Sequence, residues 1–502
     1  MSSPVATAPG ITHTEAPAAA TSRLVLAFVL MVANGSLART GQRVLILEGE
    51  TVILGRHDPA RETPLAHFAE HQPGMPMPPP SPAGGLPCPT LSHEHLRVTA
   101  RKDGLWVKVI GTRPTQLNGQ PFKEGLVTGG DTIMFVGEAL LLCIWTPMEL
   151  PTLPAGVPLH SFGKADLVGI RGESAVIWEL RRLIRFAAST QQDVLVIGES
   201  GAGKTAVAEA IHYVSSRKDG PIVKRTCTQF TENLLESQLF GTRKGLIGSG
   251  KESFDGIFPA AEGGTIILDE IGLAPLWLQK ALLTVLEEGV YTVVGAARVS
   301  TVDVRIVGTT NADPKEAFRE DFDARLAIVI VVPPVREHRD DVGFMLRAFL
   351  EEADATMTLD PPSKRRISPT FVDYLVRHPL PTNARQIRNI MFAALAMNTP
   401  GQVKLPASLL EGAPPSKQPA SVTRASVPPV SQPRESTAGE EKASGEKASG
   451  ASRGGRPKEE PLRSEGDVRE ALKATGGDAT KAAGVLGLSR GQMLRLVAKL
   501  GL

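Results

Sequence analysis

Between an apolar run, Asp193 to Ile197, and a helix-like run, Ala206 to Tyr213, the chain reads Gly198-Glu199-Ser200-Gly201-Ala202-Gly203-Lys204-Thr205. This is the phosphate-loop pattern GxxxxGK[ST], and it constrains the fold because the loop works only where a strand feeds a helix. The glycines let successive backbone N–H groups face one oxyanion. Lys204 can reach the outer phosphates, and the Thr205 hydroxyl can ligate magnesium at the positive end of the helix. The expected ligand is ATP or GTP.

Two further segments fit the same sheet. Gly263-Gly264 leads through an apolar run into Asp269-Glu270, so two carboxylates stand at the end of a strand beside the loop, one for the metal and one for a water. Asp269 is expected to hold magnesium with Thr205, and Glu270 to polarise the attacking water. A third run, Val302 to Thr310, ends at Asn311, whose amide can orient that water.

From about Leu167 to Asn389 the sequence resembles the AAA+ domain of bacterial sigma-54-dependent transcription activators. The resemblance rests on the segments above and on Glu232 to Gly241, Leu282 to Gly289, Phe318 to Asp321, Pro333 to Val342 and Pro381 to Arg385, at the family's spacing. It implies an ATP-driven ring, usually a hexamer, in which a neighbour completes each site. It also implies that Arg319 and Arg325 act in trans on the γ-phosphate and that Arg385 is the lid arginine that senses nucleotide. The implied partner is RNA polymerase with sigma-54.

Two departures qualify the resemblance. The family touches sigma-54 through a loop reading GAFTGA, and here the aligned stretch is Gly245-Leu246-Ile247-Gly248-Ser249-Gly250. Ile247 and Gly248 stand where an aromatic and a hydroxyl belong, and the aromatic would offer a large rigid contact face. Thr226, before Cys227, replaces the Asn that couples nucleotide state to the catalytic glutamate, and its hydroxyl can still hold Glu270.

The remaining sequence argues for several domains, since 502 residues exceed what one core serves. Cys88, Cys143 and Cys227 form no paired motif, which suits a reducing cytosol and argues against structural zinc. The apolar run Leu24 to Ala33 is about half a membrane span and reads as a buried strand. No membrane partner is expected, and the net charge of +2 selects none.

Strand-like runs from Leu24 to Trp145, including Val44 to Leu47, Thr51 to Leu54, Leu105 to Ile110 and Thr132 to Val136, predict an all-β sandwich. Gly55-Arg56, Ser92-His93-Glu94-His95 and Leu117-Asn118-Gly119 resemble the loops of a forkhead-associated (FHA) domain. That resemblance implies a phosphothreonine protein as partner, with Arg56 and Ser92 as phosphate ligands and His95 as a scaffold. It is incomplete: His93 and Arg113 replace the usual Arg and Asn, and a Pro-rich insertion spans about Pro73 to Pro89. At the other end, two helix-like runs, Gly466 to Thr475 and Ala479 to Leu486, precede a turn at Gly487-Leu488-Ser489 and a final helix. This resembles a Fis-type helix-turn-helix, with Arg490, Gln492, Arg495 and Lys499 facing DNA.

The expected architecture is thus multidomain. A disordered 1–22 precedes an all-β FHA-like sandwich over 23–148. An α/β P-loop AAA+ core follows over 160–335, with a helical lid over 336–410. A disordered linker over 411–460 leads to an all-α helix-turn-helix over 461–502.

Overall fold

A computed structural model describes residues 23–56, 64–81, 85–154, 157, 159–242, 256–295, 298–356, 366–397 and 402–404. The expected contact loop with Leu246, Ile247 and Gly248, the linker and the DNA-facing Arg490, Gln492, Arg495 and Lys499 lie outside the described residues.

The described residues of the N-terminal part form strands joined by turns and irregular chain. One antiparallel sheet joins β1 (Leu24–Ala33), β2 (Arg43–Ile46), β6 (Thr115–Leu117), β7 (Gln120–Pro121), β9 (Thr132–Phe135) and β10 (Ala139–Pro147) in the order β2-β1-β10-β9-β6-β7. The other joins β3 (Thr51–Leu54), β4 (Leu96–Arg101), β5 (Gly104–Val109) and β8 (Glu124–Val127) in the order β3-β4-β5-β8. Leu26, Phe28, Leu30, Leu141 and Cys143 from the first sheet meet Leu54, Val98, Leu105 and Val107 from the second in a common core.

The first sheet is apolar on its other side too. Val29, Met31, Leu140 and Leu142 alternate with the residues just named, and they enter a separate core. That core is completed by three helices far along the chain, between residues 342 and 397. Continuous burial along β1 from Val25 onward follows from the lack of alternation in its sequence, since both faces are covered.

The central part is a three-layer α/β unit. Its five strands, β11 (Val194–Ile197), β12 (Ile222–Thr226), β13 (Thr265–Asp269), β16 (Arg305–Thr310) and β17 (Ile328–Val331), are all parallel and run in the order β12-β13-β16-β11-β17. A small hairpin, β14 (Val290–Thr292) with β15 (Val299–Thr301), stands apart from this sheet. Helices α1 (Ala175–Ser189) and α2 (Lys204–Tyr213) cover one face with Ile184, Val207 and Ile211. On the other side lie α3 (Leu235–Phe240), α4 (Ile257–Ala260), α5 (Leu276–Glu288), the four-residue α6 (Pro314–Ala317) and α7 (Glu320–Arg325), which bring in Leu239, Phe258, Leu278, Leu282 and Phe322. Helix α1 starts where the Ser174 hydroxyl accepts from the Ile177 N–H at 3.3 Å, one of the donors a helix start leaves open.

The last described part holds α8 (Val342–Thr356), α9 (Pro369–Arg377) and α10 (Asn383–Met397), with short strands β18 (Arg366–Ile367) and β19 (Gln402–Val403) paired in parallel. Val342, Leu346, Phe371, Leu375 and Met391 from these helices fill the outer face of the N-terminal sheet. Polar contacts pin the same junction: Thr132 Oγ1 donates to Asp373 Oδ1 at 2.6 Å and Arg377 Nη1 to the Asn118 carbonyl at 2.9 Å. The Arg43 guanidinium, fully buried, lies 3.4 Å from the Asp340 carboxylate. No helix among the described residues is long and apolar enough to cross a membrane.

Candidate nucleotide site

The phosphate loop leaves the C-terminal end of β11, where the Gly198 N–H donates to the Thr310 carbonyl at 3.1 Å. Gly201 and Gly203 both have positive φ, 75° and 104°, so the loop turns through backbone conformations that side chains disfavour. Gly203 then opens α2, leaving helix N–H groups unpaired toward the loop. Lys204 bends back over it, its Nζ donating to the Gly198 carbonyl at 2.9 Å and the Glu199 carbonyl at 3.1 Å. Burial pushes the Lys204 ammonium below its usual range, while Asp269 and Glu270 pull the other way and Arg385 adds to the depression.

Register explains why the acids arrive here. β13 pairs with β16 and β12, and its last residue, Asp269, sits opposite Thr226. Thr205 Oγ1 donates to Asp269 Oδ1 at 3.3 Å, and Thr309 Oγ1 donates to the same oxygen at 2.8 Å. Thr205 and Asp269 thus present adjacent hard oxygens. Such a pair suits magnesium, which takes one or two protein oxygens and keeps several waters. Glu270 follows in left-handed backbone at φ 56°, exposed at the strand end. Asn311 is exposed just after β16. Behind them Cys227 is buried, and desolvation together with the two acids pushes its thiol up to about 12, so it is inert at neutral pH.

The C-terminal helices reach the same loop. Arg385 Nη1 donates to Ser200 Oγ at 3.1 Å. Glu199 pairs with Arg336 at 2.6 Å and accepts from Asn383 Nδ2 at 3.1 Å, and these two contacts hold its carboxyl below the usual range. Arg319 and Arg325 stand elsewhere, the first just before α7 and the second its last residue, where they pair with Asp321 at 2.6 Å and Glu287 at 3.7 Å. Arg325 also acts electrostatically on Asp193, which precedes β11 at the end opposite the phosphate loop. The structure therefore gathers Gly198 to Thr205, Asp269 and Arg385, with Thr226, Glu270 and Asn311 at neighbouring strand ends, and leaves the other two arginines on a different face.

Three residues at this site escaped the sequence reading: Thr309, Arg336 and Asn383. Thr309 carried a signal, a buried hydroxyl in an apolar parallel strand that needs a partner. Arg336 and Asn383 lie inside the family-like segments Pro333 to Val342 and Pro381 to Arg385, but more than a hundred residues from the loop, and nothing in those segments ties these two side chains to it.

In the N-terminal sandwich, the Arg56 N–H donates to the Ser92 carbonyl at 3.0 Å, so the two expected phosphate ligands are neighbours. Arg56 Nε donates to the Leu91 carbonyl, and Ser92 Oγ accepts from the Thr112 N–H, both at 3.1 Å. His95, buried, shares a 2.9 Å hydrogen bond with Thr115 Oγ1, and desolvation pushes its pKa down to about 4.

Residues 170–332 match the Sigma-54 interaction domain, and residues 336–422 match the AAA+ ATPase lid domain. The DNA-binding transcriptional regulator NtrC of Rhizobium meliloti (strain 1021) is 32% identical over 353 residues, covering 67% of this chain and 70% of that protein. The chain belongs to the sigma-54-dependent transcriptional regulators. NtrC of Azospirillum brasilense is 31% identical, covering 70% of this chain and 73% of its own length. Regulatory protein AtoC of Escherichia coli (strain K12) is 37% identical over 218 residues, and the chain spans 47% of it. Among solved structures, NtrX from Brucella abortus in complex with ADP is 26% identical, covers 67% of this chain and 70% of its own, and superposes with a TM-score of 0.43. The AAA+ domain of sigma-54-dependent regulators is an ATPase, and this chain carries that domain.

Proposed function

We propose that this chain is a cytoplasmic transcription regulator that hydrolyses ATP in a ring, usually a hexamer, with an FHA-type sandwich at its N-terminus and a Fis-type DNA-binding helix-turn-helix at its C-terminus. The observation that carries the reading is the junction of Thr205, Thr309 and Asp269 beside Lys204 and the phosphate loop.

In this mechanism the amides of Gly198 to Gly203 and the Lys204 ammonium bind the phosphates of ATP. Thr205 and Asp269 would hold Mg2+, whose chemistry when bound is to neutralise charge across the β- and γ-phosphates. Glu270 polarises the attacking water, Asn311 orients it, and Thr226 holds Glu270 until the γ-phosphate is in place. Arg385 senses the nucleotide from the lid. Arg319 and Arg325 exchange Asp321 and Glu287 for the γ-phosphate of the neighbouring subunit, a substitution that leaves each arginine paired throughout. Arg490, Gln492, Arg495 and Lys499 hold DNA, and Arg56 with Ser92 receives a phosphothreonine.

The target is RNA polymerase with sigma-54, touched through Leu246, Ile247 and Gly248. A specific sequence feature favours a second reading: Ile247 and Gly248 replace the aromatic and the hydroxyl of the contact loop. On that reading the chain is a DNA-bound antagonist or mixed-ring subunit, or an ATPase for another partner. Sigma-54 capture with ADP and aluminium fluoride decides between them. Stable capture supports the activator, and ATP turnover without capture supports the second reading. A chain that neither binds nor turns over ATP, under conditions where Lys204→Ala is indistinguishable from wild type, refutes both.

A further inference from the structure

The Asn383 side chain carries three contacts, and none of them serves the helix it begins. Its Oδ1 accepts from the Val335 N–H at 2.9 Å. Its Nδ2 donates both to Glu199 Oε2 and to the Ser200 carbonyl, each at 3.1 Å. The residue is buried and sits in left-handed backbone at φ 52°, a conformation Asn tolerates better than most side chains. Both groups it donates to are in the middle of the phosphate loop. Neighbouring contacts close the same seam, since Arg336 binds the Glu199 carboxylate and a Cβ at Gly201 would meet the Thr382 carbonyl.

A consequence for the loop follows from peptide geometry. In a trans peptide the C=O and the next N–H point in opposite directions across one plane. Asn383 holds the Ser200 carbonyl on the lid side, so the Gly201 N–H is fixed on the opposite side of that plane. The Ala202 N–H closes a turn on the Glu199 carbonyl at 3.2 Å, but the central Ser200–Gly201 peptide of such a turn can take either orientation, the more so because Gly201, at φ 75°, carries no side chain. A phosphate-loop amide that must meet an oxyanion is therefore aimed by a carboxamide from the lid.

We propose that Asn383 is a positioning residue for nucleotide binding, acting through Glu199 and the Ser200 carbonyl to preorganise the phosphate loop. The proposal rests on the reading of this loop as the ATP site. It assigns the lid a direct hold on the loop's backbone, separate from the arginine at 385 that faces nucleotide. It also gives the acidic residue at loop position 199 a purpose: an anion beside a phosphate site is unfavourable unless its charge is turned outward and neutralised, and Arg336 and Asn383 do this.

The discriminating variants change the polarity of the amide and keep its shape. Asn383→Asp preserves the acceptor for Val335 and the backbone preference, but it places a carboxylate oxygen against Glu199 and against the Ser200 carbonyl. Full-length wild type, N383D, E199Q, the double variant N383D/E199Q and the control K204A are compared for binding of a fluorescent ATP analogue, for KM and kcat, and for thermal melting.

N383D is expected to bind the analogue about a hundredfold more weakly, equal to about 2.8 kcal/mol, with KM raised and kcat within about threefold of wild type. E199Q, which offers an amide N–H to the new carboxylate, is expected to restore at least tenfold of that affinity in the double variant. A role confined to folding predicts no such rescue and a lowered melting temperature in both. N383D with wild-type affinity, or a double variant no tighter than N383D, overturns the proposal. Failure of the underlying ATP reading looks different, because then wild type itself binds no better than K204A.

Discussion

Replacing Arg43 with Met should destabilise the junction between the N-terminal sheet and the C-terminal helices, and should do so in a pH-dependent way. The Arg43 side chain is fully buried and pairs with Asp340, itself 8% exposed, at 3.4 Å, and its Nη2 also donates to the Glu173 carbonyl. Burial, with Asp341 next to it, already raises the Asp340 pKa to about 6, and Arg43 and His338 are the groups opposing that rise. Removing one member of a buried pair costs about 3–5 kcal/mol because the other is left charged and unpaired. The long contact, and an Arg43 Nη1 with no partner among the described residues, place this pair at the lower end. At about 3 kcal/mol, and roughly 2–4 °C per kcal/mol for an assembly of this size, Tm should fall by about 6–12 °C at pH 8.

The sign with pH is fixed by the carboxylate. A raised pKa means that the folded form prefers the proton, so the penalty is small at low pH and grows as pH rises through the folded-state value. Without Arg43 that value moves higher still, and the Tm loss at pH 5 should be no more than about half that at pH 8. Adding Asp340→Asn, which cannot ionise, should recover most of the pH 8 loss. Scanning calorimetry of wild type, R43M, D340N and R43M/D340N at both pH values tests this. An R43M loss that is equal at pH 5 and pH 8, or unaffected by D340N, would show that Arg43 stabilises only by filling space.

Burial raises the Asp193 pKa to about 6, so its contribution to stability is present below about 4 and lost as pH rises through 6. Asp193→Asn, which keeps an acceptor for the Ile306 N–H, should therefore melt at or above wild type at pH 8 and lose that advantage at pH 4. Thr309→Val should lower kcat about tenfold by freeing Asp269 Oδ1, with Thr309→Ser close to wild type, as steady-state ATPase assays would reveal. Arg319→Ala should reduce turnover far more than nucleotide affinity, and equal losses in the two would point to a structural role instead.

Much of the candidate nucleotide site was legible because its residues are written in short contiguous words. The strand, the glycines, Lys204 and Thr205 occupy adjacent positions, and the Asp269-Glu270 pair ends an apolar run of strand length. What was not legible is what long-range folding brings to those words. Asn383 lies in the segment Pro381 to Arg385, where the resemblance gave a role to Arg385 alone, and only its left-handed backbone and its contacts with Val335, Glu199 and Ser200 reveal its reach. In the N-terminal part the runs at Val44, Thr51, Leu105 and Thr132 located strands to within a residue or two, because each is a short apolar or β-branched run bounded by turn residues. The run Leu24 to Ala33 was read as buried, but its meaning was only half seen: burial of consecutive residues in a strand requires a second cover, and the cover is three hundred residues away.

That strand changes what kind of object the N-terminal part is. Val29, Met31, Leu140 and Leu142 would be wet if the sandwich were cut away, and Phe371, Leu375 and Met391 would be wet on the remaining piece. Neither fragment would be a finished protein. Exchange of this input module for another by recombination would demand matching replacements along α8, α9 and α10, so sandwich and lid are bound to diverge as a pair.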